Sequence, residues 1–333
     1  MEKETLKLVI VGSFDHGKST MIGRLFYDTD CLPEGKIEEI RAASEAEGRD
    51  LEFGFIMDHL REERSRGVTI DTAQTFFSTE ARDYAIIDAP GHKEFLKNMI
   101  TGASQADAAV LICSAYEGVE EQTRRHAYVL KLLGLHQTLV AYNKMDLVGY
   151  DPERFDEVRK DLREFLAQVD IEPTIEVPVS AKLGDNIADR SENMPWYDGP
   201  TILEALDEFQ KKSQPTDKPL RLPIQDVYEF DGAQVAVGRV EAGVVRPGME
   251  LCFLPEGRIH KLIEIRKHLE EDVTESSAGE CIGMVFEPGG LRRGEVGCPV
   301  DARPALGTSF EASVFWLVNE PLRAGEELTV RCS

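Results

Sequence analysis

Gly12-Ser13-Phe14-Asp15-His16-Gly17-Lys18-Ser19 is the stretch that decides the fold of the first part of the chain. A glycine, four further residues and Gly-Lys-Ser form the pattern of a phosphate-binding loop. We predict a buried strand before it, at residues 6–11, and a helix after it, from residue 21. In that context, backbone N–H groups of the loop and of the helix N-terminus converge on a phosphate. We therefore expect Lys18 to lie toward the β- and γ-phosphates of a nucleotide, and Ser19 to ligate Mg²⁺.

The composition narrows the class of protein. With 333 residues, of which 42% are hydrophobic, the chain is long enough for two or three packed domains. Its net charge of −23 argues against broad, sequence-independent binding to nucleic acid. Six cysteines without a Cys-x-x-Cys pair predict reduced thiols. No apolar run is long enough to cross a bilayer and the N-terminus has no signal-peptide pattern, so we expect a cytoplasmic protein with no membrane partner.

A second motif, Asp88-Ala89-Pro90-Gly91-His92, follows a predicted strand at residues 83–88. A strand at residues 71–79 precedes it across a three-residue turn, and so short a turn predicts an antiparallel pair. Ligands bind at the carboxyl ends of strands in open α/β sheets. We therefore predict that Asp88 holds Mg²⁺ through water, and that Gly91 lets the backbone approach a γ-phosphate.

The third motif, Asn143-Lys144-Met145-Asp146, stands at the end of a predicted buried strand at residues 138–142. The Asp146 carboxylate can accept two hydrogen bonds, from N1–H and the exocyclic amine of guanine, and adenine offers neither group in that arrangement. Asn143 and the Lys144 stem complete the base pocket. Ser180-Ala181-Lys182 follows another predicted strand, at residues 175–179, and is placed to cap the base from the other side. In this order the motifs predict a guanine-nucleotide domain.

The motifs resemble those of the translation-factor class of GTPases. The resemblance implies that Thr69 closes over Mg²⁺ and the γ-phosphate, that His92 orients the attacking water, and that both act with Lys18 in catalysis. It also implies GTP or GDP as the nucleotide, and it associates Asp15 with a monovalent cation site. The remaining predicted nucleotide contacts in the loop are His16, Gly17 and Thr20. The matching stretches are Asp15-His16-Gly17-Lys18-Ser19, Arg66-Gly67-Val68-Thr69-Ile70, Asp88-Ala89-Pro90-Gly91-His92 and Asn143-Lys144-Met145-Asp146.

Two branches of this class fit the sequence. Stretches such as Gln122-Thr123-Arg124-Arg125-His126 and Asn319-Glu320-Pro321-Leu322 resemble the GTPase large subunit of bacterial sulfate adenylyltransferase. We take that branch as the leading interpretation, which implies an adenylyltransferase subunit as partner. The alternative is the elongation factor that carries aminoacyl-tRNA to the ribosome in eukaryotes and archaea. His16 favours this alternative, because the sulfate branch usually has Asp there. Both branches usually have Val where Phe14 stands, which leaves the intrinsic hydrolysis rate open.

The predicted fold class is α/β. It comprises a P-loop GTPase domain with a doubly wound, mostly parallel sheet and one antiparallel strand, then a small β-barrel, then the start of a second β-barrel. We assign residues 1–212 to the GTPase domain, 213–304 to the barrel and 305–333 to the first strands of a further, truncated barrel. A polar segment at residues 209–219 is predicted as the linker. Short strands separated by turn signals predict the barrel. They lie at residues 220–229, 234–240, 249–253, 259–267, 281–286 and 296–300, with two more at 310–317 and 327–331.

Overall fold

A computed structural model of the chain describes residues 3–32, 35, 53, 74–88, 106–212, 214–230, 232–267, 272–312, 314 and 321–329. The chain divides into two compact units, Met1–Lys212 and Ser213–Ser333. Among the described residues, no helix is both long and apolar enough to cross a membrane.

The first unit is built on a six-stranded sheet with the order β2-β3-β1-β4-β5-β6 in its described part. β2 runs antiparallel to β3, and the other neighbouring strands are parallel. This confirms the predicted α/β class with one antiparallel strand. The strands are β1 (Thr5–Gly12), β2 (Gln74–Ser78), β3 (Asp83–Asp88), β4 (Ala108–Ser114), β5 (Thr138–Asn143) and β6 (Ile175–Pro178). The helices described are α1 (Lys18–Asp28), α2 (Glu121–Leu132), α3 (Pro152–Gln168) and α4 (Ile202–Asp207).

Burial explains why the central strands are so apolar. Every residue of β4 and β5 is buried, as expected for parallel strands covered on both faces. The register pairs Gly12 with Ile112 and Ser114 with Asn143, so the carboxyl ends of β1, β4 and β5 lie along one edge of the sheet. The predicted motifs follow strands of this sheet, and that edge is therefore where the functional side chains are expected to meet.

The second unit contains a closed barrel with the strand order β10-β11-β13-β8-β7-β14. Alternate side chains of these strands fill its interior, including Leu222, Phe253, Leu262 and Met284. A separate two-stranded sheet pairs β9 with β12. The strands are β7 (Leu222–Phe230), β8 (Ala233–Arg239), β9 (Val244–Val245), β10 (Glu250–Leu254), β11 (Arg258–Arg266), β12 (Ser276–Ser277), β13 (Cys281–Glu287) and β14 (Val296–Pro299).

Two segments differ from the sequence prediction. Phe209, expected at the start of a polar linker, is 1% exposed and packs in the core of the first unit. The reason is that burial of this aromatic side chain is favourable in free energy, and the gain exceeds the cost to its polar neighbours. In addition, the described residues of 310–317 and 327–331 form no strand. Two strands without further partners do not make a stable sheet.

Candidate nucleotide-binding site

The phosphate loop joins β1 to α1 through one tight turn. β1 ends at Gly12, residues Phe14–His16 form a 3-10 turn, and α1 begins at Lys18. Gly17 has a φ of 88°, and a Cβ added there would lie 2.4 Å from Nδ2 of Asn143. Only glycine satisfies both the left-handed backbone and that close approach. The loop is therefore folded tightly against the residue that begins the third motif.

The N-terminus of α1 supplies the anion-binding end of the loop. Met21 N donates to Gly17 O at 2.9 Å. The amides of Ser19 and Thr20, which directly precede Met21 in the first turn, have no acceptor within the helix, and such amides attract a phosphate. The Ser19 hydroxyl lies in this same first turn, at the position where a hydroxyl would hold Mg²⁺. The donors present thus fit a nucleotide phosphate with its metal.

Lys18 places its ammonium over the loop. Its Nζ donates to Gly12 O at 2.7 Å and to Ser13 O at 2.8 Å. Because these carbonyls end β1, the positive charge lies at the carboxyl edge of the sheet rather than in solvent. That this charge faces the phosphates of a nucleotide stays a prediction.

His16 lies beneath the loop, with a side chain that is 0% exposed. Its Nδ1–H donates to Ile112 O of β4 at 3.2 Å, and burial lowers the pKa of the imidazole below its ordinary value. The backbone oxygen of His16 accepts from Asn143 Nδ2 at 2.9 Å. The side chain therefore supports the loop from the sheet side, while Asp15 next to it is exposed.

Asn143 connects the phosphate loop with the base motifs. Besides donating to His16, it accepts through Oδ1 from the Ala181 backbone N–H at 2.9 Å. Its side chain is 3% exposed, so both hydrogen bonds are shielded from water. One amide therefore fixes the relative positions of three segments that are far apart in sequence.

The remaining base-motif residues surround the same point. Ser180 Oγ donates to Asp146 Oδ1 at 2.7 Å, which orients the carboxylate. Lys144 adopts a left-handed conformation with a φ of 64°, and its Nζ donates to Glu117 Oε1 at 2.6 Å. Lys182 is exposed. Hydrogen bonds thus bring Asp146 next to Ser180 and Asn143 next to Ala181, and the contact of these residues with a base stays a prediction.

Several residues predicted to act on the γ-phosphate, the metal or the attacking water lie outside the described residues. These are Thr69, Gly91 and His92, and for Asp88 and Phe14 only the backbone is described. The backbone of Asp88 ends β3 and is paired in register with Ile10 of β1. The strand that leads into the second motif thus ends beside the strand that leads into the phosphate loop.

One contact of the loop was missed by sequence reasoning. The Ser13 hydroxyl donates to the carboxylate of Glu120, and His16 Nε2 lies 3.3 Å from the same carboxylate oxygen. Nothing in the sequence marks Glu120, because an acidic residue before a helix is typical of a solvated surface. Only the fold brings it to the loop.

Comparison with known proteins assigns the family. The sequence profile described as "Elongation factor Tu GTP binding domain" matches residues 3–212. The chain is 43% identical over 320 residues to a protein named "Elongation factor 1-alpha" from Methanoculleus marisnigri, and the match covers 94% of this chain and 75% of that protein. It is 46% identical over 305 residues to "Elongation factor 1-alpha" from Thermococcus kodakarensis, covering 89% and 71%.

A solved structure shows the same fold. The translation elongation factor SelB from Methanococcus maripaludis, in complex with a GTP analogue, matches with a TM-score of 0.50 at 23% identity. The match covers 91% of this chain and 56% of that one, and at this identity it supports the fold alone. The profile and the relatives establish that this chain belongs to the elongation factor Tu family of translation-factor GTPases, enzymes that bind GTP or GDP with Mg²⁺ and hydrolyse GTP.

Proposed function

We propose that this chain is an elongation factor 1-alpha-like switch that, with GTP bound, carries aminoacyl-tRNA to the ribosome in the cytoplasm. The observation that carries the proposal is the 43% identity to a protein of that name across 94% of the chain. The adenylyltransferase role favoured by short stretches of sequence gains no support from these relatives. Motifs such as residues 122–126 are too short to outweigh similarity along nearly the whole chain.

The proposed mechanism assigns each motif residue one task. Lys18 and the amides of Ser19 and Thr20 offset phosphate charge, and phosphoryl transfer depends on such electrostatic positioning. Ser19, Thr69 and Asp88 hold Mg²⁺, which neutralises charge on the phosphates when bound. His92 orients the attacking water, and Asp15 accompanies a monovalent cation. Asn143, Lys144, Asp146 and the Ser180-Ala181-Lys182 segment select guanine.

Binding of aminoacyl-tRNA tests the biological role. We expect the chain loaded with a non-hydrolysable GTP analogue to protect the aminoacyl ester of charged tRNA from hydrolysis, whereas the GDP-loaded chain should not. The affinity should fall steeply with salt, because each phosphate contact releases counterions. Equal protection by the GTP-analogue and GDP forms, or none by either, would contradict the role as a carrier.

A matched control uses uncharged tRNA at the same salt concentrations. A carrier that recognises the aminoacyl end should bind uncharged tRNA more weakly. Stimulation of an adenylyltransferase by the GTP-loaded chain, without tRNA protection, would restore the sulfate-branch interpretation.

A further inference from the structure

Glu120 is a charged residue at the phosphate loop that the assigned motifs do not include. It precedes α2 directly, in the N-cap position, yet its side chain makes no capping hydrogen bond to its own helix. The carboxylate instead accepts the Ser13 hydroxyl, across 107 residues of sequence. A carboxylate at a helix N-terminus usually accepts hydrogen bonds from the helix amides. Here the carboxylate accepts a hydrogen bond from the phosphate loop instead.

The contact holds the residue that begins the loop's turn. The same oxygen, Glu120 Oε2, accepts from Ser13 and lies 3.3 Å from Nε2 of His16. Ser13 is the N-cap of the 3-10 turn Phe14–His16, and His16 is its last residue. Ser13 is 5% exposed, and Gln122 Oε1 lies 3.3 Å from its hydroxyl as a second acceptor. His16 Nε2 makes no hydrogen bond in the described residues, so the carboxylate fixes the start of the turn that precedes Gly17 through Ser13.

The other contacts of the turn act on different atoms. Ile112 O holds Nδ1 of His16, and Asn143 holds its backbone oxygen. Within the described residues, the hydrogen bonds of the Ser13 side chain are made to the start of α2. Without Glu120, the first residue of the turn is therefore held less firmly, although the turn itself can still form.

We propose that Glu120 is a positioning residue that holds the phosphate loop in its nucleotide-binding conformation through Ser13. The proposal rests on the assignment of residues 12–19 as the phosphate loop. A fixed loop loses less conformational entropy when a phosphate binds, so the contact strengthens nucleotide binding without touching the nucleotide. It adds a negative charge near the phosphates, and the gain from positioning must exceed that repulsion.

Substitution of Glu120 distinguishes an effect on loop positioning from an effect of its negative charge on the phosphates. We expect Glu120→Ala to weaken GDP binding about fivefold, the size of one typical hydrogen bond. KM for GTP should rise by a similar factor while kcat changes less than about twofold, because the loop is the same in ground and transition states. Glu120→Gln keeps an acceptor for Ser13 and should stay within about twofold of wild type. If charge alone matters, both variants will instead bind GDP more tightly.

A double-mutant cycle tests the contact itself. Ser13→Ala, Glu120→Ala and the double variant should weaken GDP binding by similar factors, since each removes the same interaction. Additive effects would overturn the proposal. The matched control is Glu121→Ala, which removes an exposed carboxylate paired with Arg125 one position further along, and it should leave the affinity unchanged.

Lys18→Ala distinguishes failure of this proposal from failure of the loop assignment. Loss of a charge partner of the phosphates should weaken GDP binding about a hundredfold. If Lys18→Ala has this effect while Glu120→Ala has none, the loop assignment stands and the role of Glu120 is wrong. If Lys18→Ala has no effect, the loop assignment itself is wrong.

Discussion

In the proposed site, base selection depends on the hydrogen-bonding capacity of one carboxylate. Asp146 Oδ1 accepts from the Ser180 hydroxyl, which fixes the plane of the group. The position of Asp146 just after a strand could be predicted from sequence, and its role in base selection stays a prediction that rests on carboxylate chemistry. The contacts of His16 and Glu120 could not, because they depend on which side of the loop faces β4.

At this scale we predict that Asp146→Asn shifts the base preference of the site from guanine to xanthine. An amide of the same shape keeps an oxygen for Ser180, so the pocket stays folded, but it cannot accept both guanine donors. A site that leaves a buried polar group unpaired discriminates by about a thousandfold or more. The ratio of GTP to XTP affinity measures the change, and an unaltered ratio would remove Asp146 from the base pocket. Ser180→Ala is the control, since it should weaken both nucleotides alike.

The elements of the first unit are connected at their functional edge by Asn143. Its amide spans the phosphate loop and the segment after β6 through His16 O and Ala181 N. Apolar runs and motifs predicted the strands that meet here, and the observed bounds differ by a few residues. The sequence did not reveal α4, because a six-residue helix is too short to show helical periodicity. Its capping box, Thr201 with Glu204, is the signal that could have identified it.

We predict that Asn143→Ala weakens the fold and the nucleotide site together. The substitution leaves a buried carbonyl and a buried N–H without their partner, which costs about 2–3 kcal/mol in the free energy of unfolding. Thermal unfolding and GDP titration of the same samples measure both effects. Asn193→Ala removes an amide that donates to Asp185 at the surface, and it should alter neither. A variant at residue 143 with wild-type stability but weak GDP binding would limit Asn143 to the base pocket.

The whole molecule carries a large negative charge, with 61 acidic residues against 38 lysines and arginines. Like charges on a compact surface repel one another, and that repulsion is relieved on unfolding. Added salt screens it, with a screening length of roughly 10 Å at 0.1 M and 3 Å at 1 M. Stability and RNA binding should therefore respond to salt in opposite directions.

We predict that the melting temperature rises by about 1–2 °C between 0.05 M and 0.5 M NaCl, as screening removes about 1 kcal/mol of repulsion. Differential scanning fluorimetry measures the change. Potassium glutamate at equal ionic strength is the control for effects specific to chloride. A melting temperature that falls with both salts would show that attractive surface ion pairs outweigh the overall repulsion.

The buried Phe209 fixes where the chain leaves the first unit. Its backbone oxygen accepts from Arg82, and Gln210 exchanges hydrogen bonds with Gln137. Lys212 N donates to Asp107. Arg82, Asp107 and Gln137 stand directly before β3, β4 and β5, so the exit lies at the amino ends of the strands, opposite the proposed nucleotide site. Six or seven residues of strand separate the two edges, about 20 Å. A conformational change that begins at the phosphate loop can therefore reach this exit only through a displacement of whole strands, or through segments that pass around the sheet.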